Sequence, residues 1–251
     1  MMQEKPTYLQ PALFDGLPGI VAGFSTRLGG DSVAPYDSLN LSLSTGDDAT
    51  RVQENRHRLF EAVGFSIDQL ALAGQVHGAQ VQVVAGPGRF PGTDGLVTQA
   101  PGVLLCISAA DCAAVLLADA EGCVVGACHA GWRGAAARIV VRTVAALERL
   151  GADAARLRVY ISPCISMKNF EVGPEVAARF DPVFVQANPG SVNPHVDLKA
   201  VITAQLEETG VAPAHIEVSP HCTFAETDTF FSHRAENGRT GRMMGFIGMR
   251  G

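Results

Sequence analysis

The chain has 251 residues, of which 47% are hydrophobic and 18% charged, and its formal net charge is −6. This composition is typical of a compact globular protein with a sizeable core, and an acidic balance without a basic patch argues against nucleic-acid binding. No segment has the length and hydrophobicity of a signal peptide or a membrane span, so we expect a cytoplasmic protein without a membrane partner. Because no repeat, linker or low-complexity tract is visible, residues 1–251 are predicted to form a single catalytic domain.

Six cysteines lie mostly within apolar segments and include no C-x-x-C pair. They are Cys106, Cys112, Cys123, Cys128, Cys164 and Cys222. In a reducing compartment such residues are expected to be free thiols rather than a disulfide framework.

The first forty residues are punctuated by Gly and Pro, which predicts surface loops. Taken alone, Arg27 and Asn40 are interpreted as ordinary residues of these loops. Thr50 with Gln53 three positions later has the pattern of a capping box, and we predict that it opens a helix ending at Gly64.

Residues 70–84 alternate apolar and polar side chains and predict one strand, with His77 inside it. A histidine beside a glycine in a strand is most often only a structural residue. Short strands are then predicted at residues 96–98 and 103–108, after a turn at residues 93–95.

Residues 110–134 are the stretch on which the prediction of a functional site depends. Two apolar strands, residues 113–118 and 123–128, are separated by four residues of hairpin length. An even loop would place Cys112 opposite His129, with Cβ atoms roughly 5 Å apart.

A three-residue loop with Gly122 in a left-handed bulge is the alternative for this hairpin. It slips the register by one and places Ala130 opposite Cys112. In both registers the thiol of Cys112 and the imidazole of His129 remain neighbours.

Gly131 and Gly134 form a turn that leads into a predicted helix over residues 135–150, capped by Gly151. The turn offers free backbone N–H groups and the guanidinium of Arg133, which together suit an anion or a polarised oxygen.

Further elements are predicted in the second half of the chain. They are strands at residues 157–162 and 216–218, helices at residues 174–180 and 201–210, and a terminal pair of strands, residues 230–234 and 240–247, around the turn at residues 236–238. Strands outnumber helices and several follow each other directly, which favours an α+β fold with mixed or antiparallel sheets flanked by helices.

One thiol and one imidazole, from Cys112 and His129, form with His77 as a provisional third member a donor set suited to Zn²⁺ or copper. Nothing local ties His77, 35 residues before Cys112, to the other two, and its inclusion depends on the family resemblance given below. Three protein ligands leave one position open for water or substrate, as in catalytic zinc sites. Asp111, beside Cys112, could orient a ligand imidazole or cap the turn. Two alternatives remain: a metal-free Cys112–His129 nucleophile for acyl or amide transfer, and an interaction domain with incidental thiols.

Seven short motifs in order along the chain carry a family resemblance. They are residues 25–30 (STRLGG), 38–40 (SLN), 75–78 (QVHG), 93–98 (TDGLVT), 110–112 (ADC), 129–134 (HAGWRG) and 240–243 (TGRM). With them the chain resembles the laccase-domain family. Its bacterial members are described as purine nucleoside phosphorylases, multi-activity purine enzymes, polyphenol oxidases or peptidoglycan-editing factors.

The resemblance implies a His–Cys–His metal site at His77, Cys112 and His129. It also implies an α+β fold similar to that of Cys–His toxin deamidases, which is why the metal-free alternative is kept. The chain departs from the family pattern at Cys164 and near His233, and neither residue is given a role.

Physical arguments select among the family's activities. A multicopper laccase needs many closely spaced histidines, whereas this chain has seven and no His-x-His. The H-x-E and P-C-x-x-C signature of nucleobase deaminases is also absent, so any deamination by this protein would use a different scaffold.

We therefore predict a zinc-dependent purine nucleoside phosphorylase that takes a nucleoside and phosphate, with adenosine deaminase and methylthioadenosine phosphorylase as further activities at the same metal. Copper is the alternative metal. Arg133 is predicted to bind phosphate with help from Arg27 and Arg242, and Asn40 to contact ribose hydroxyls. The alternative functions are a Cys–His amidase acting on a cell-wall precursor and a copper polyphenol oxidase.

Overall fold

The computed structural model describes residues 5–121, 123–187 and 192–251. Its α-helices are α1 (Ala49–Ala62), α2 (Trp132–Ala136), α3 (Ile139–Arg149), α4 (Pro174–Ala177) and α5 (Leu198–Glu208). Its strands are β1 (Tyr8–Leu9), β2 (Ile20–Ser25), β3 (Leu70–Gly74), β4 (Val81–Val83), β5 (Gly88–Pro91), β6 (Gly95–Thr98), β7 (Leu104–Ala109), β8 (Ala113–Ala118), β9 (Val125–Ala130), β10 (Arg158–Ile161), β11 (Val185–Gln186), β12 (His195–Val196), β13 (Ile216–Val218) and β14 (Met243–Met249).

Two six-stranded mixed sheets form the centre of the fold. The first has the strand order β1-β2-β14-β7-β3-β5, and the second has the order β13-β10-β8-β9-β6-β4. Strands β11 and β12 pair separately. The predicted α+β class with mixed sheets and flanking helices is therefore confirmed.

The sheets pack face to face between two helical layers. Alternate residues of β7, Leu105 and Ile107, share a buried cluster with Ala114 and Leu116 of β8, so this cluster fills the space between the sheets. The opposite face of each sheet contacts helices. Leu59 and Phe60 of α1 pack on the first sheet, and Val144 and Leu147 of α3 pack on the second. Burying each such Leu, Val or Phe side chain stabilises the fold by about 1.5–3 kcal/mol.

The β8–β9 hairpin has a register that neither sequence-based pairing anticipates. Its first strand has the predicted bounds, but the second begins at Val125 because Cys123 belongs to the turn. Asp119 N donates to Val124 O at 3.0 Å, and His129 pairs with Ala114 rather than with Cys112. This register differs by two positions from the predicted pairing of His129 with Cys112. Because side chains along a strand alternate between the two faces of the sheet, a difference of two leaves His129 on the face expected from the predicted pairing. The bulge proposed at Gly122 lies outside the described residues.

The strand predicted over residues 70–84 is wrong. The structure has two strands there, and they belong to different sheets: β3 lies in the first sheet and β4 in the second. His77 lies in the connection between them with a left-handed φ of 59° and an exposed side chain. Because a left-handed residue cannot continue a strand, the chain turns at His77 and crosses from one sheet to the other.

Other local predictions are corrected in a similar way. Helix α1 is capped by Asp48, whose carboxylate accepts from the N–H groups of Thr50 and Arg51, so Thr50 is not the cap. The helix predicted over residues 135–150 is divided into α2 and α3 at Arg138, which has φ 60°. In the C-terminal segment only β14 forms, and residues 230–234 are not a strand.

Within the described ranges, no helix has both the length and the hydrophobicity needed to cross a bilayer.

Candidate metal centre

Three side chains from separate parts of the chain converge at one end of the two sheets. A ring nitrogen of His77, the Sγ atom of Cys112 and a ring nitrogen of His129 all lie within 4.8 Å of one another. The two imidazole rings meet edge to face, with centroids 4.8 Å apart. Among the described residues, one group of three or more His, Cys, Asp or Glu side chains could hold a metal ion, and it consists of these three.

The connection between the sheets explains why these residues meet. Strand β3 runs parallel to β7, and beyond it the Gln75 amide donates to Ser108 O and accepts from Ser108 N, both at 2.8 Å. This pair of bonds holds the His77 turn beside the end of β7. The chain then leaves β7 for the second sheet through Asp111, at φ 79°, and Cys112 follows at the crossing. His129 lies near the end of β9 in the second sheet.

Asp94 supports both histidines with a single carboxylate that is fully buried. Its Oδ1 atom lies 2.8 Å from Nδ1 of His129 and also accepts the backbone N–H of His77 at 3.0 Å. Its Oδ2 atom accepts the N–H groups of Val76 and Gly78 at 3.0 and 2.8 Å. Since an ionised carboxylate only accepts, Nδ1 of His129 carries a proton, and Nε2 is the ring nitrogen that can bind a metal once it is deprotonated.

The ionisation of the cluster favours a thiolate. Burial alone would raise the pKa of Cys112, but the charges and hydrogen bonds of His129 and His77 lower it to about 6. Burial likewise disfavours the His129 imidazolium, yet Cys112 and Asp94 raise the pKa of His129 to about 9. Burial would also raise the pKa of Asp94, and the hydrogen bonds from His129 and from the N–H groups of the His77 turn lower it instead.

These residues fit a divalent metal by their donor types and by the space around them. Thiolate is the form of cysteine that binds metals, and His129 would release its Nε2 proton when a metal binds. Gly131 lies against the cluster, and a Cβ atom there would be 2.7 Å from Sγ of Cys112 and 3.5 Å from Cδ2 of His77. Because residue 131 has no side chain, Sγ of Cys112 stays accessible to a metal ion.

The predicted anion-binding arginines lie in different environments. Arg133 is exposed on α2, and its guanidinium lies over the Trp132 ring at 4.2 Å from the centroid. Arg242 donates to Thr240 O and Gly241 O at 2.9 and 2.8 Å. Burial lowers the pKa of Arg242, and this effect is opposed first by Asp111 and then by Cys112. Arg242 thus lies within electrostatic range of the candidate metal centre.

Arg27 is held by the protein itself. Its guanidinium donates to Asp37 O and Thr227 O at 2.8 and 2.7 Å, and it pairs with Glu236 at 3.2 Å. It lines a cavity of about 540 Å³ whose lining residues do not include the three candidate ligands. The structure does not bring Arg27 to the metal centre.

Asn40 is fully buried, and both ends of its amide are engaged. Nδ2 donates to Thr45 Oγ1 and Asp47 Oδ2, both at 2.9 Å. Oδ1 accepts from the N–H groups of Ser42 and Arg242 at 3.2 and 2.9 Å. The amide has no exposed atom for a ribose hydroxyl, so this predicted contact is replaced by a structural role.

Asp111 directs its carboxylate away from the imidazoles. Oδ1 accepts from Thr223 Oγ1 and Ser232 Oγ at 2.7 and 2.8 Å, and Oδ2 accepts from Arg234 N at 2.7 Å. It therefore ties the turn before Cys112 to the C-terminal segment. The carboxylate that orients a candidate ligand histidine, His129, belongs to Asp94, which the sequence reasoning treated only as part of a turn and a family motif.

Comparisons with known proteins agree with this architecture. The family model described as "Multi-copper polyphenol oxidoreductase laccase" matches residues 21–250. The chain is 44% identical over 230 residues to a Deinococcus radiodurans protein named purine nucleoside phosphorylase, covering 90% of this chain and 88% of the relative. It is 38% identical to purine nucleoside phosphorylase YlmD of Geobacillus stearothermophilus, covering 92% of this chain and 91% of that relative.

A solved structure of YlmD from Geobacillus stearothermophilus superposes with a TM-score of 0.90 at 36% identity, covering 100% of this chain and 98% of that one. The chain therefore belongs to the laccase-like multi-copper polyphenol oxidoreductase family, as the resemblance indicated.

Proposed function

We propose that this protein is a zinc-dependent purine nucleoside phosphorylase, which converts adenosine, inosine or guanosine and phosphate into the free base and ribose 1-phosphate. The observation that carries the proposal is the convergence of His77, Cys112 and His129 around an accessible sulfur, with Asp94 fixing one imidazole. The names of the relatives at 38–44% identity support the same reaction.

In phosphorolysis a phosphate oxygen attacks C1′ of the ribose and the C1′–N9 bond breaks. The bonding electrons pass to N9 of the purine, which then takes up a proton. Catalysis requires a group that stabilises the charge developing on the departing base and a cation that holds phosphate near C1′. When bound by the three ligands, zinc supplies the Lewis acidity for this charge.

The protein's own residues would position the reactants. His129 is held in one tautomer by Asp94, and the neighbouring His77 faces solvent, from which the nucleoside would enter. Arg133 would bind phosphate through its exposed guanidinium, and Arg242 would add a positive charge that interacts electrostatically with Cys112. Asn40 and Arg27 have no substrate contact in this proposal, since their polar atoms bind the protein.

Adenosine deamination and methylthioadenosine phosphorolysis are further activities that we propose for the same metal. In deamination, water would attack the purine carbon that bears the amino group, and the carbon–nitrogen bond would break as the amino group leaves as ammonia. Zinc held by His77, Cys112 and His129 would supply the Lewis acidity that activates the water. A cytoplasmic location is part of the proposal, because the free cysteines suit a reducing compartment. The substrates are small molecules, and no nucleic acid is required.

A metal-free amidase acting on a cell-wall precursor is the second candidate, and it is favoured by the lowered pKa of Cys112. The sulfur could act as a nucleophile with His129 as its base, as in the Cys–His toxin deamidases, whose fold the family resemblance led us to expect. A copper polyphenol oxidase is a weaker third candidate, because multicopper oxidation needs several metals and the described residues provide one three-ligand cluster.

Metal analysis and a coupled assay of base release distinguish these candidates. The purified protein is expected to hold about one zinc ion per chain and to release hypoxanthine from inosine only when phosphate is present. A metal chelator should abolish this activity, and added zinc should restore it. Absence of bound metal together with absence of phosphate-dependent base release would refute the phosphorylase, whereas chelator-resistant amide hydrolysis would establish the amidase.

A further inference from the structure

Two cysteines outside the metal centre lie side by side on neighbouring strand ends. Cys164 follows β10 and Cys222 follows β13, and the two residues form an isolated parallel bridge. Thr223 N donates to Cys164 O at 3.2 Å, which fixes this register. Paired strands lie about 4.7–4.9 Å apart. This spacing falls within the range of about 4.4–6.8 Å over which Cα atoms are joined by disulfides.

Both sulfur atoms contact the same peptide unit. Sγ of Cys164 lies 3.6 Å from Ile165 O, and Sγ of Cys222 accepts from Ser166 N at 3.3 Å. Ile165 O and Ser166 N belong to one peptide group, so a single planar unit separates the two thiols. Rotation about the Cα–Cβ bonds is the movement needed to bring them together.

The two thiols differ in environment. Cys222 is 7% exposed, and its sulfur accepts hydrogen bonds from Ser166 N and Asn169 Nδ2, both at 3.3 Å. Burial would raise the pKa of Cys222, but these donors outweigh it and lower the pKa. Cys164 is fully buried, and burial raises its pKa to about 12. Cys222 is therefore the more easily ionised of the two thiols, and Cys164 stays protonated.

We propose that Cys164 and Cys222 form a redox-sensitive dithiol that closes to a disulfide when a small peroxide oxidises Cys222. The Cys222 thiolate attacks one peroxide oxygen, the O–O bond breaks and hydroxide leaves, which gives a sulfenic acid. The Cys164 sulfur then attacks the Cys222 sulfur, and its proton leaves with the displaced hydroxyl group as water. The two sulfurs lose two electrons and the peroxide gains them.

The dithiol is linked to the metal centre through Asp111. The residue after each cysteine binds this aspartate: Ile165 N donates to Asp111 O at 3.0 Å, and Thr223 Oγ1 donates to Asp111 Oδ1 at 2.7 Å. Asp111 directly precedes Cys112 and has the left-handed φ of 79°. Closure of the disulfide would shift both anchors of this turn. Loss of such supporting contacts typically weakens metal binding by about 10–100-fold.

Disulfide formation is tested by peroxide titration followed by peptide mapping. The titration is made in a Cys112→Ser background, so that the reactive thiol of the metal centre does not compete. We expect a peptide linked through residues 164 and 222 at peroxide doses that leave Cys123 reduced. Cys123→Ser, which removes an exposed thiol, is the matched control and should not change this product. Cys222→Ser should abolish it.

Cys164→Ser should leave Cys222 as a sulfenic acid that a dimedone probe traps. The proposal is overturned if Cys123 is oxidised first, if no linkage between residues 164 and 222 appears, or if the Cys164→Ser protein gives no dimedone adduct at Cys222.

The regulatory consequence rests on the proposed function and is measured separately on the wild-type protein. After the same peroxide treatment, the wild-type protein is expected to bind zinc at least about tenfold more weakly than a Cys222→Ser protein, in which Cys112 meets the same oxidant but the disulfide cannot form. Equal zinc affinity of the two proteins would refute the link through Asp111. If the reduced protein binds no zinc, the proposed function fails while the mapped disulfide still stands.

Discussion

Two buried polar regions of this protein contrast in how their polar atoms are used. Around Asn40, the amide oxygen and nitrogen, together with Asp47 and Asn55, bind only other protein atoms. We call these three residues the Asn40 network. In the metal centre, by contrast, the sulfur of Cys112 and the ring nitrogens of two histidines face one another.

The difference shows how a structural polar cluster can be distinguished from a candidate site. The amide of Asn40 is closed to a ligand, since it is fully buried and its oxygen and nitrogen are matched by protein atoms. The candidate metal centre instead gathers one thiol and two imidazoles within 4.8 Å of one another, a donor set that a cation can bind once His129 releases its Nε2 proton. Four predictions follow from this contrast.

Cys112→Ala should have the largest effect, because it removes the thiolate from the donor set. Zinc content should fall to background, and kcat/KM for phosphorolysis should fall at least about a thousandfold, since a lost Lewis acid costs several kcal/mol. Metal analysis and the hypoxanthine assay measure both. Cys123→Ala, which removes an exposed thiol, should keep full values. Normal zinc content in the Cys112 variant would show that the sulfur is not a ligand.

Asp94→Asn should weaken the metal centre without unfolding the chain. The amide cannot accept from both His129 and the His77 turn as the carboxylate does, so zinc should bind about 10–100-fold more weakly. Competition with a chromophoric chelator measures the affinity. Asp119→Asn provides a matched control, because Asp119 is also buried but binds the N–H of Glu121 in the β8–β9 turn. An equal loss in both variants would contradict the assigned role of Asp94.

Asn40→Ala should destabilise the fold and leave zinc binding unchanged, which is the reverse of the effect expected for Asp94→Asn. It leaves the partners of a buried amide unsatisfied and should lower the free energy of unfolding by about 1–3 kcal/mol, as measured by urea denaturation. Zinc affinity of the folded protein should be unchanged. If zinc affinity falls while stability is kept, Asn40 belongs to the site, and the distinction between the two regions is lost.

The smallest predicted effect is a shift in a titration. In the metal-free protein the Cys112 pKa is lowered to about 6, so the thiolate is present above that pH and is lost as the pH falls through it. Iodoacetamide labelling of Cys112 should therefore rise through pH 6 and level off. His129→Gln should move the midpoint upward, because the imidazolium that lowers the pKa is removed. A wild-type midpoint near the ordinary value of 9.0 would contradict the pairing.

Local patterns in the sequence predicted many elements correctly. Strand β8 has the predicted bounds, because it is a short apolar run between turns, and β13 also coincides with its prediction. The division at Arg138 was missed, since a single left-handed residue leaves the 3.6-residue periodicity almost unchanged.

The candidate site was less accessible to sequence reasoning. Nothing local linked His77 to Cys112, and only the family resemblance brought them together. The pairing of β3 with β7 supplies the missing link in the structure. Asp94 was overlooked because its turn gives no sign of four accepted hydrogen bonds. The available clue was an aspartate directly before a strand that pairs beside His129.

The central claim is that one cation is held jointly by His77, Cys112 and His129. A crystal grown with zinc and measured at the zinc absorption edge tests it most directly. We predict a single strong anomalous peak at about 2.3 Å from Sγ of Cys112 and about 2.0–2.1 Å from a nitrogen of each histidine. A zinc peak bonded elsewhere, or a peak that leaves any of these three side chains uncoordinated, would contradict the account.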